Sequence, residues 1–413
     1  MTTKLPPPAR KDPTRRTRLP TRPPGNRSRE AHGLTAMAAA GRFALQTCAG
    51  CGTVQYPPRQ ICGRCLGDAL EWRDVAPGGR LLAETTLAHS NDLFFRDRLP
   101  WRLGVVQSDA GPSMVAHLAE DCVAGERVRL ALAIDRAGNA AVTARPETPT
   151  PNPEDDRQLR EMAFEPKDRR VLIVDGKTGL GLALARGFAD AGARAVYVGH
   201  AQPWRRSGNL EAAREIERAS LFPLDVTDTQ SVADLAATIG DKVEILVNNA
   251  YHLRMGGVLG RCDLNTAHDE MEIHYHGLLR LAGHFGPVMR ARGADGAHGA
   301  AAWVNVLSAY ALVNNPSLGT YSASQAAALS LAQCLRAELA EGGVRVVNAF
   351  LGPLDDEWHQ LAPPPKLDPA TVARRIVAGL GAGVEDLPVG AVAEEIFARR
   401  AENPKEIERA MKL

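Results

Sequence analysis

Two constellations in this chain of 413 residues have the residue types and spacing to do chemistry. The first is Cys48-Ala-Gly-Cys51 with Cys62-Gly-Arg-Cys65, two CxxC knuckles separated by ten residues. Each knuckle brings two thiolates into one turn, and Gly50, Gly52 and Gly63 permit the bends. Four thiolates close a tetrahedral cage around Zn²⁺ with no open position for water, so the metal folds the ribbon rather than catalysing a reaction. Iron in the same cage, or thiols that merely pack, are the alternatives. The second is the turn Asp175-Gly176-Lys177-Thr178-Gly179-Leu180-Gly181, after an apolar run and before a helical stretch. Glycines there let the backbone approach a pyrophosphate whose charge rests on a helix N-terminus.

The elements that must position these groups follow from composition and period. Residues 1–33 form a basic, Pro-rich tail; its first thirty residues hold nine Lys or Arg against Asp12 and Glu30. Such a segment buries too little to offset its ordering entropy and is expected to be disordered. Residues 34–146 open with a short helix at 34–40 and the cysteine cluster. Short β-rich runs follow at 80–87, 103–107, 114–117 and 128–133, between Gly, Asp and Pro turns. Residues 147–168 read as a Pro- and charge-rich linker. From 169 to 413, strands such as 171–174, 193–198 and 345–350 alternate with helices such as 180–191, the pattern of a doubly wound parallel Rossmann sheet. The fold class is therefore α/β, preceded by a small all-β domain.

Charge is nearly balanced, with 49 basic and 48 acidic side chains, which argues against nucleic acid or an anionic membrane as a partner. No apolar run reaches the length of a membrane span. Four of the seven cysteines share one cluster, the usage expected in a reducing cytoplasm rather than in a disulfide scaffold.

The run Phe43–Cys65, with its Tyr56-Pro57-Pro58-Arg59 bridge, resembles the rubredoxin-like zinc ribbon of an acyl-CoA-associated OB-fold family, domain of unknown function 35. Gly79-Arg80-Leu81-Leu82, Leu99-Pro100-Trp101 and Gly111-Pro112-Ser113-Met114 fit that family's barrel strands. The resemblance implies a partner role beside thiolase-like or CoA-thioester enzymes. OB barrels also bind single-stranded nucleic acid, but this module offers little of the basic, aromatic face which that requires.

Residues 169–413 resemble the short-chain dehydrogenases/reductases. The Gly-rich turn approximates that family's TGxxxGxG, with the first glycine lost or one residue closer. Asp225 in Leu224-Asp225-Val226 stands where the family places an aspartate near the adenine ring. Asn248-Asn249-Ala250-Tyr251 resembles NNAG with Tyr in place of Gly. The cofactor-binding residues so implied are Gly176, Gly179, Gly181, Asp225, Asn248 and Ala250. Ser308 and Tyr321, thirteen positions apart, match the serine that orients a carbonyl or hydroxyl and the tyrosine that gives or takes its proton. The lysine four residues after the tyrosine is Gln325, which can bond a ribose hydroxyl but cannot stabilise a tyrosinate. The relay asparagine is His274, either a substitute base or a buried, hydrogen-bonded histidine.

Strand two ends in Val198-Gly199-His200-Ala201 without an acid, and Arg205 and Arg206 follow, so any dinucleotide leans to NADP over NAD. Lys177 reads as a phosphate contact or a solvent-facing loop residue, and Asp355 and Asp356 as a solvated loop. The expected function is a divergent subunit of 3-hydroxyacyl/3-oxoacyl-CoA metabolism, a pseudoenzyme with hydride transfer impaired or lost. Its ribbon and barrel would dock a thiolase-like partner, and its second half would form a homo- or hetero-oligomer. The alternative is an active NAD(P)-dependent oxidoreductase using Tyr321 and Ser308.

Overall fold

Backbone hydrogen bonding in the first half builds two small β structures, a three-stranded sheet and a closed barrel. The computed structural model describes residues 22–25, 27–148, 156–162, 164–202, 204–260, 264–292, 299–362 and 364–411. The tail 1–21 and linker residues 149–155 lie outside these, as does Cys262. Helix α1 (Ala31–Ala39) precedes a three-stranded antiparallel sheet of β1 (Ala44–Cys48), β2 (Val54–Gln55) and β3 (Leu70–Asp74), in the order β2-β1-β3. Next come β4 (Gly78–Leu87), a single helical turn α2 (Leu93–Arg96), β5 (Trp101–Ser108), β6 (Ser113–Leu118), β7 (Arg127–Ile134) and β8 (Ala140–Pro146). These five strands close a barrel in the order β4-β5-β6-β8-β7. Its interior holds Leu81, Val106, Met114, Leu118, Leu130 and Val142. Gly104 is required there, because a Cβ would stand 2.6 Å from Leu81 Cδ1 and 2.8 Å from Leu118 Cδ1.

The linker is structured where described. Its second part forms α3 (Arg157–Met162), with Leu159 and Met162 buried and Gln158 bridging to the Arg102 backbone. Asp156 Oδ1 caps it by accepting from Leu159 N at 2.7 Å. The polar, Pro-rich composition concealed this turn of helix.

The second half is a seven-stranded parallel sheet. In chain order its elements are β9 (Arg170–Ile173), α4 (Gly179–Asp190), β10 (Ala195–His200), α5 (Gly208–Arg214), β11 (Ala219–Pro223), α6 (Thr229–Ile239), β12 (Ile245–Asn248), α7 (Asn265–Met271), α8 (Gly277–Arg292) and β13 (Ala302–Ser308). Then follow α9 (Gly319–Ala340), β14 (Arg345–Leu351), α10 (Pro369–Ala382), β15 (Asp386–Val389), α11 (Ala391–Glu402) and α12 (Pro404–Ala410). The strand order is β11-β10-β9-β12-β13-β14-β15, and every pairing is parallel. Each face carries its own apolar cluster. One is built on Leu184, Phe188, Val372 and Ile376, the other on Leu235, Leu281, Phe285 and Leu335. Helix starts are set by local caps: Thr178 for α4, Asp228 for α6, and Asp368 with Pro369 for α10.

The barrel joins the sheet at the N-terminal edge of its strands, away from the Gly-rich turn. Arg345, the first residue of β14, donates from Nη2 to the carbonyls of Asp135 and Ile134 at 2.9 and 3.2 Å. Its Nη1 meets Glu385 Oε1 at 3.0 Å, and its guanidinium lies 4.5 Å from the Phe164 ring centre. Burial pushes the Arg345 pKa down to about 10, which leaves it charged at neutral pH. The Glu385 amide also donates to the Ala39 carbonyl of α1 at 3.2 Å.

Removing a buried cation leaves its acceptors unpaired. Arg345→Met, which retains most of the apolar stem, is expected to cost about 3 kcal/mol. Calorimetry should then resolve separate unfolding of the two halves, and an unchanged single transition would refute this coupling.

Candidate functional site

The cysteine knuckles converge. Cys48 ends β1, Cys51 follows its turn, and Cys62 and Cys65 come from the loop between β2 and β3. Their four Sγ atoms lie within 4.8 Å of one another, with Cys48–Cys65 at 3.5 Å and Cys51–Cys62 at 3.6 Å. A Zn²⁺ ion with 2.3 Å bonds to sulfur needs tetrahedron edges of about 3.8 Å, so the donor set fits. Gly52, at φ +70°, makes the first turn. The knuckles are held together by a buried amide pair that the sequence reading missed. Gln46 Oε1 accepts from Gln55 Nε2 at 3.1 Å and from Arg59 N at 2.8 Å, while Gln55 Oε1 accepts from Gly63 N at 3.1 Å.

The C-terminal edge of the sheet gathers the four residues singled out for catalysis. Ser308 ends β13, while Tyr321 and Gln325 lie in the first turns of α9. His274 lies in a π-helical turn, Glu272–His276, between α7 and α8. All four are buried. Burial holds the Tyr321 phenol well above its usual pKa, a hydrogen bond with Ser308 opposes this in part, and Asp356 and Glu270 push it higher. Gln325 does not face a ribose with its carbonyl: Oε1 accepts the Ser308 backbone N–H at 2.9 Å.

His274 has both ring nitrogens engaged. Nε2 accepts from His252 N at 3.0 Å, and Nδ1 lies 2.8 Å from Ser324 Oγ, which itself donates to the Tyr321 carbonyl. That network fixes the neutral tautomer with the proton on Nδ1. Burial pushes the His274 pKa down to about 3, leaving a packed, uncharged imidazole 5.4 Å from the Tyr321 ring.

Asp356 departs from the solvated-loop expectation. It is largely buried and accepts the Tyr251 hydroxyl on Oδ2. On Oδ1 it accepts His359 Nδ1 at 2.8 Å, His359 N at 3.0 Å and Trp358 N at 3.1 Å. The Tyr251 ring packs against two clusters at once, one containing Leu180, Val198 and Leu351 beside the Gly-rich turn, the other containing Tyr321. Trp358 and His359 lie against the same ring.

Tyr251 therefore touches both the cluster beside the Gly-rich turn and the cluster that holds Tyr321.

The Gly-rich turn lies on the same edge of the sheet. Gly181 is sterically obligatory, since a Cβ would fall 2.0 Å from the Asp175 carbonyl, and a Cβ at Gly176 would meet Val198 Cγ1 at 2.2 Å. Gly179 is exposed, and a Cβ there would meet nothing within 4 Å, so the turn is open to an incoming group. Asn249 ties the turn to β12, exchanging bonds of 2.9 and 2.7 Å with the Asp175 backbone. Asn248 is buried at the end of β12, and Ala250 packs beside Leu224 and Val226. Asp225 Oδ1 accepts from Thr227 N and Oγ1 at 2.9 and 2.6 Å, which stabilises the turn below the adenine position.

Residues 169–362 match the short chain dehydrogenase family. Residues 35–71 match the ChsH2 rubredoxin-like zinc ribbon domain, and residues 72–133 the ChsH2 C-terminal OB-fold domain. The short-chain dehydrogenase PC-15 of Penicillium crustosum is 31% identical over 192 residues, 45% of this chain and 66% of that protein. A fatty acyl-CoA reductase of Acinetobacter baylyi is 27% identical over 198 residues, 45% of this chain and 62% of that protein. Across the first curated relatives the match spans only 44% to 66% of their length. A solved short chain dehydrogenase from Burkholderia cenocepacia, in complex with NADP, is 31% identical with a TM-score of 0.54, covering 60% of this chain and 99% of that one. Among the described residues no helix is long and apolar enough to cross a membrane.

Purified protein is expected to carry one zinc per chain by elemental analysis. Cys62→Ser should lose it and unfold the ribbon while the parallel sheet keeps its circular dichroism. Full metal retention in that variant would refute the four-cysteine site.

Proposed function

We propose, for a chain whose C-terminal half belongs to the short-chain dehydrogenase family, that it is a divergent subunit of CoA-thioester metabolism in which hydride transfer is impaired or lost. One observation carries this reading: Gln325 stands at the position of the family's lysine, and its carbonyl is spent on the Ser308 N–H. A lysine in Gln325's place would favour the tyrosinate; a neutral amide leaves its desolvation cost unopposed. In this reading the Tyr251–Asp356 hydrogen bond is a second obstacle, because it places a phenol, where the family has glycine, beside Tyr321.

The acyl-CoA assignment is supported by the zinc-ribbon and OB-fold matches and by the likeness to a fatty acyl-CoA reductase. In this reading the ribbon and barrel dock a thiolase-like enzyme, and tethering raises the local concentration of successive activities. The groove between α8 and α9, lined by Ala282, Gly286, Leu331 and Leu335, suits a second copy or an active paralogue. A 3-hydroxyacyl-CoA or 3-oxoacyl-CoA is the substrate class, in a cytoplasmic setting.

A second reading, an active NADP(H)-dependent oxidoreductase, is favoured by the retained Ser308 and Tyr321, both buried at the same edge of the sheet, and by basic residues in place of an acid after β10.

The two readings separate in a repair experiment. Tyr251→Gly with Gln325→Lys should raise NADPH-dependent reduction of a 3-oxoacyl-CoA by about 100-fold or more over the native chain. The sign of the pH effect follows from the raised phenol pKa. Any residual oxidation of the hydroxyacyl-CoA by native protein needs tyrosinate, so its rate should climb without a plateau past pH ~10, the ordinary phenol value. Restoring the lysine should move that rise to lower pH. Native turnover equal to that of the repaired variant would overturn the proposal in favour of the second reading.

A further inference from the structure

Of the groups gathered at the C-terminal edge of the sheet, one imidazole is oriented on one nitrogen and free on the other. His359 is 7% exposed, and its Nδ1 donates to Asp356 Oδ1 at 2.8 Å, so the neutral ring carries its lone pair on Nε2. Among the described residues nothing bonds Nε2, and that nitrogen is not sealed from solvent. The carboxylate is itself fixed: the Tyr251 hydroxyl holds Oδ2, and the amides of Trp358 and His359 hold Oδ1 together with the ring. An imidazole steered by a largely buried carboxylate, with its second nitrogen open, is the arrangement of a general base.

The other histidines nearby lack one half of that arrangement. His274 has both nitrogens bonded inward. Among the described residues no carboxylate bonds the His252 ring, which lies edge-on to Trp358 at 5.2 Å. His276 meets Glu272 at 2.7 Å, but that pair is exposed and its carboxylate also meets Arg280. The His359 ring lies against the ring of Tyr251, which packs in the cluster that holds Tyr321. Burial keeps the Tyr321 phenol protonated well above its usual range. What disqualifies that phenol as a base suits it as a hydrogen-bond donor to an oxyanion.

We propose that Asp356 and His359 form a general-base pair that enolises a 3-oxoacyl thioester without hydride transfer. The substrate class follows from acidity: C2 of such a thioester lies between two carbonyls, and its proton is the one an imidazole can remove. The C2–H bond breaks and the proton passes to His359 Nε2. The electron pair forms a C2–C3 double bond, and the charge moves to the C3 oxygen, with the Tyr321 phenol as its hydrogen-bond donor. The imidazolium then returns a proton to C2, so nothing is oxidised and no co-reactant is consumed. His359 is the catalytic residue and Asp356 its positioning residue. The proposal rests on the CoA-thioester reading and gives the subunit a redox-neutral step on the same substrate class.

Proton exchange at C2 tests it. The full-length, zinc-loaded chain is incubated in D₂O with 2-methyl-3-oxobutanoyl-CoA and no dinucleotide, and loss of the C2 proton is followed by proton NMR against buffer alone. Native protein should accelerate exchange by about 100-fold or more, the scale of a positioned base. His359→Asn, which keeps a donor for Asp356 but no base, should fall to the buffer rate. His359→Ala should lose the exchange and regain part of it when imidazole is added, which a purely structural role for the ring would not allow. Asp356→Asn, which still accepts from the backbone amides, should slow exchange by about tenfold or more. Native exchange no faster than buffer, or exchange undiminished in His359→Asn, overturns the proposal. Calorimetry with the same thioester separates the two failures: binding without exchange overturns the base pair alone, and absence of binding overturns the thioester reading with it.

Discussion

The hydrogen bond from the Tyr251 phenol to the Asp356 carboxylate organises the C-terminal edge of the sheet. It joins the segment after β12 to the segment after β14 across the mouth of the sheet. His359 and two backbone amides hold the carboxylate in place from the other side. Burial drives the Tyr251 phenol far above its ordinary pKa, and the adjacent carboxylate drives it in the same direction, so the phenol remains a neutral donor. Asp356 is held below its usual range despite its burial, by the bonds from His359 and Tyr251. A neutral donor on a charged acceptor in a partly desolvated setting is among the stronger polar contacts a protein makes. It ties the ring that packs beside Tyr321 to the loop that follows β14.

The other two replaced positions are bonded inward on the same edge. The Gln325 carbonyl serves the backbone of Ser308. His274 is buried as a neutral ring with both nitrogens bonded, one to the His252 amide and one to Ser324. Each side chain is structurally satisfied where it stands, so burial costs neither of them an unpaired polar group.

What the sequence disclosed, and what it concealed, divides along the range of the interactions. Four thiols at CxxC spacing have one good geometric solution, and the structure adopts it. The βα alternation is local, so the parallel sheet was legible from apolar runs and turn glycines. The chain also signalled Tyr251 as an intruder in a glycine position. Its partner was hidden: Asp356 lies 105 residues away and, read locally, is one half of an acidic pair before prolines. Arg345 read only as the start of a strand, since its acceptors at Ile134 and Asp135 are more than 200 residues distant. The Gln46–Gln55 pair carried no signal either, because buried amides differ from surface amides only in their neighbours.

Arg345 also fixes how the two modules can cooperate. It pins the barrel to the first residue of a seven-residue strand whose far end borders the groove. At ~3.3 Å per residue the sheet places about 23 Å between the two edges. A partner seated on the ribbon or barrel is therefore held behind the sheet of its own chain, not in front of the groove. The Ser308 end of the sheet and any surface on the ribbon or barrel are thus separated within one chain by the full length of the strands, and nothing passes between them except around the edge of the sheet.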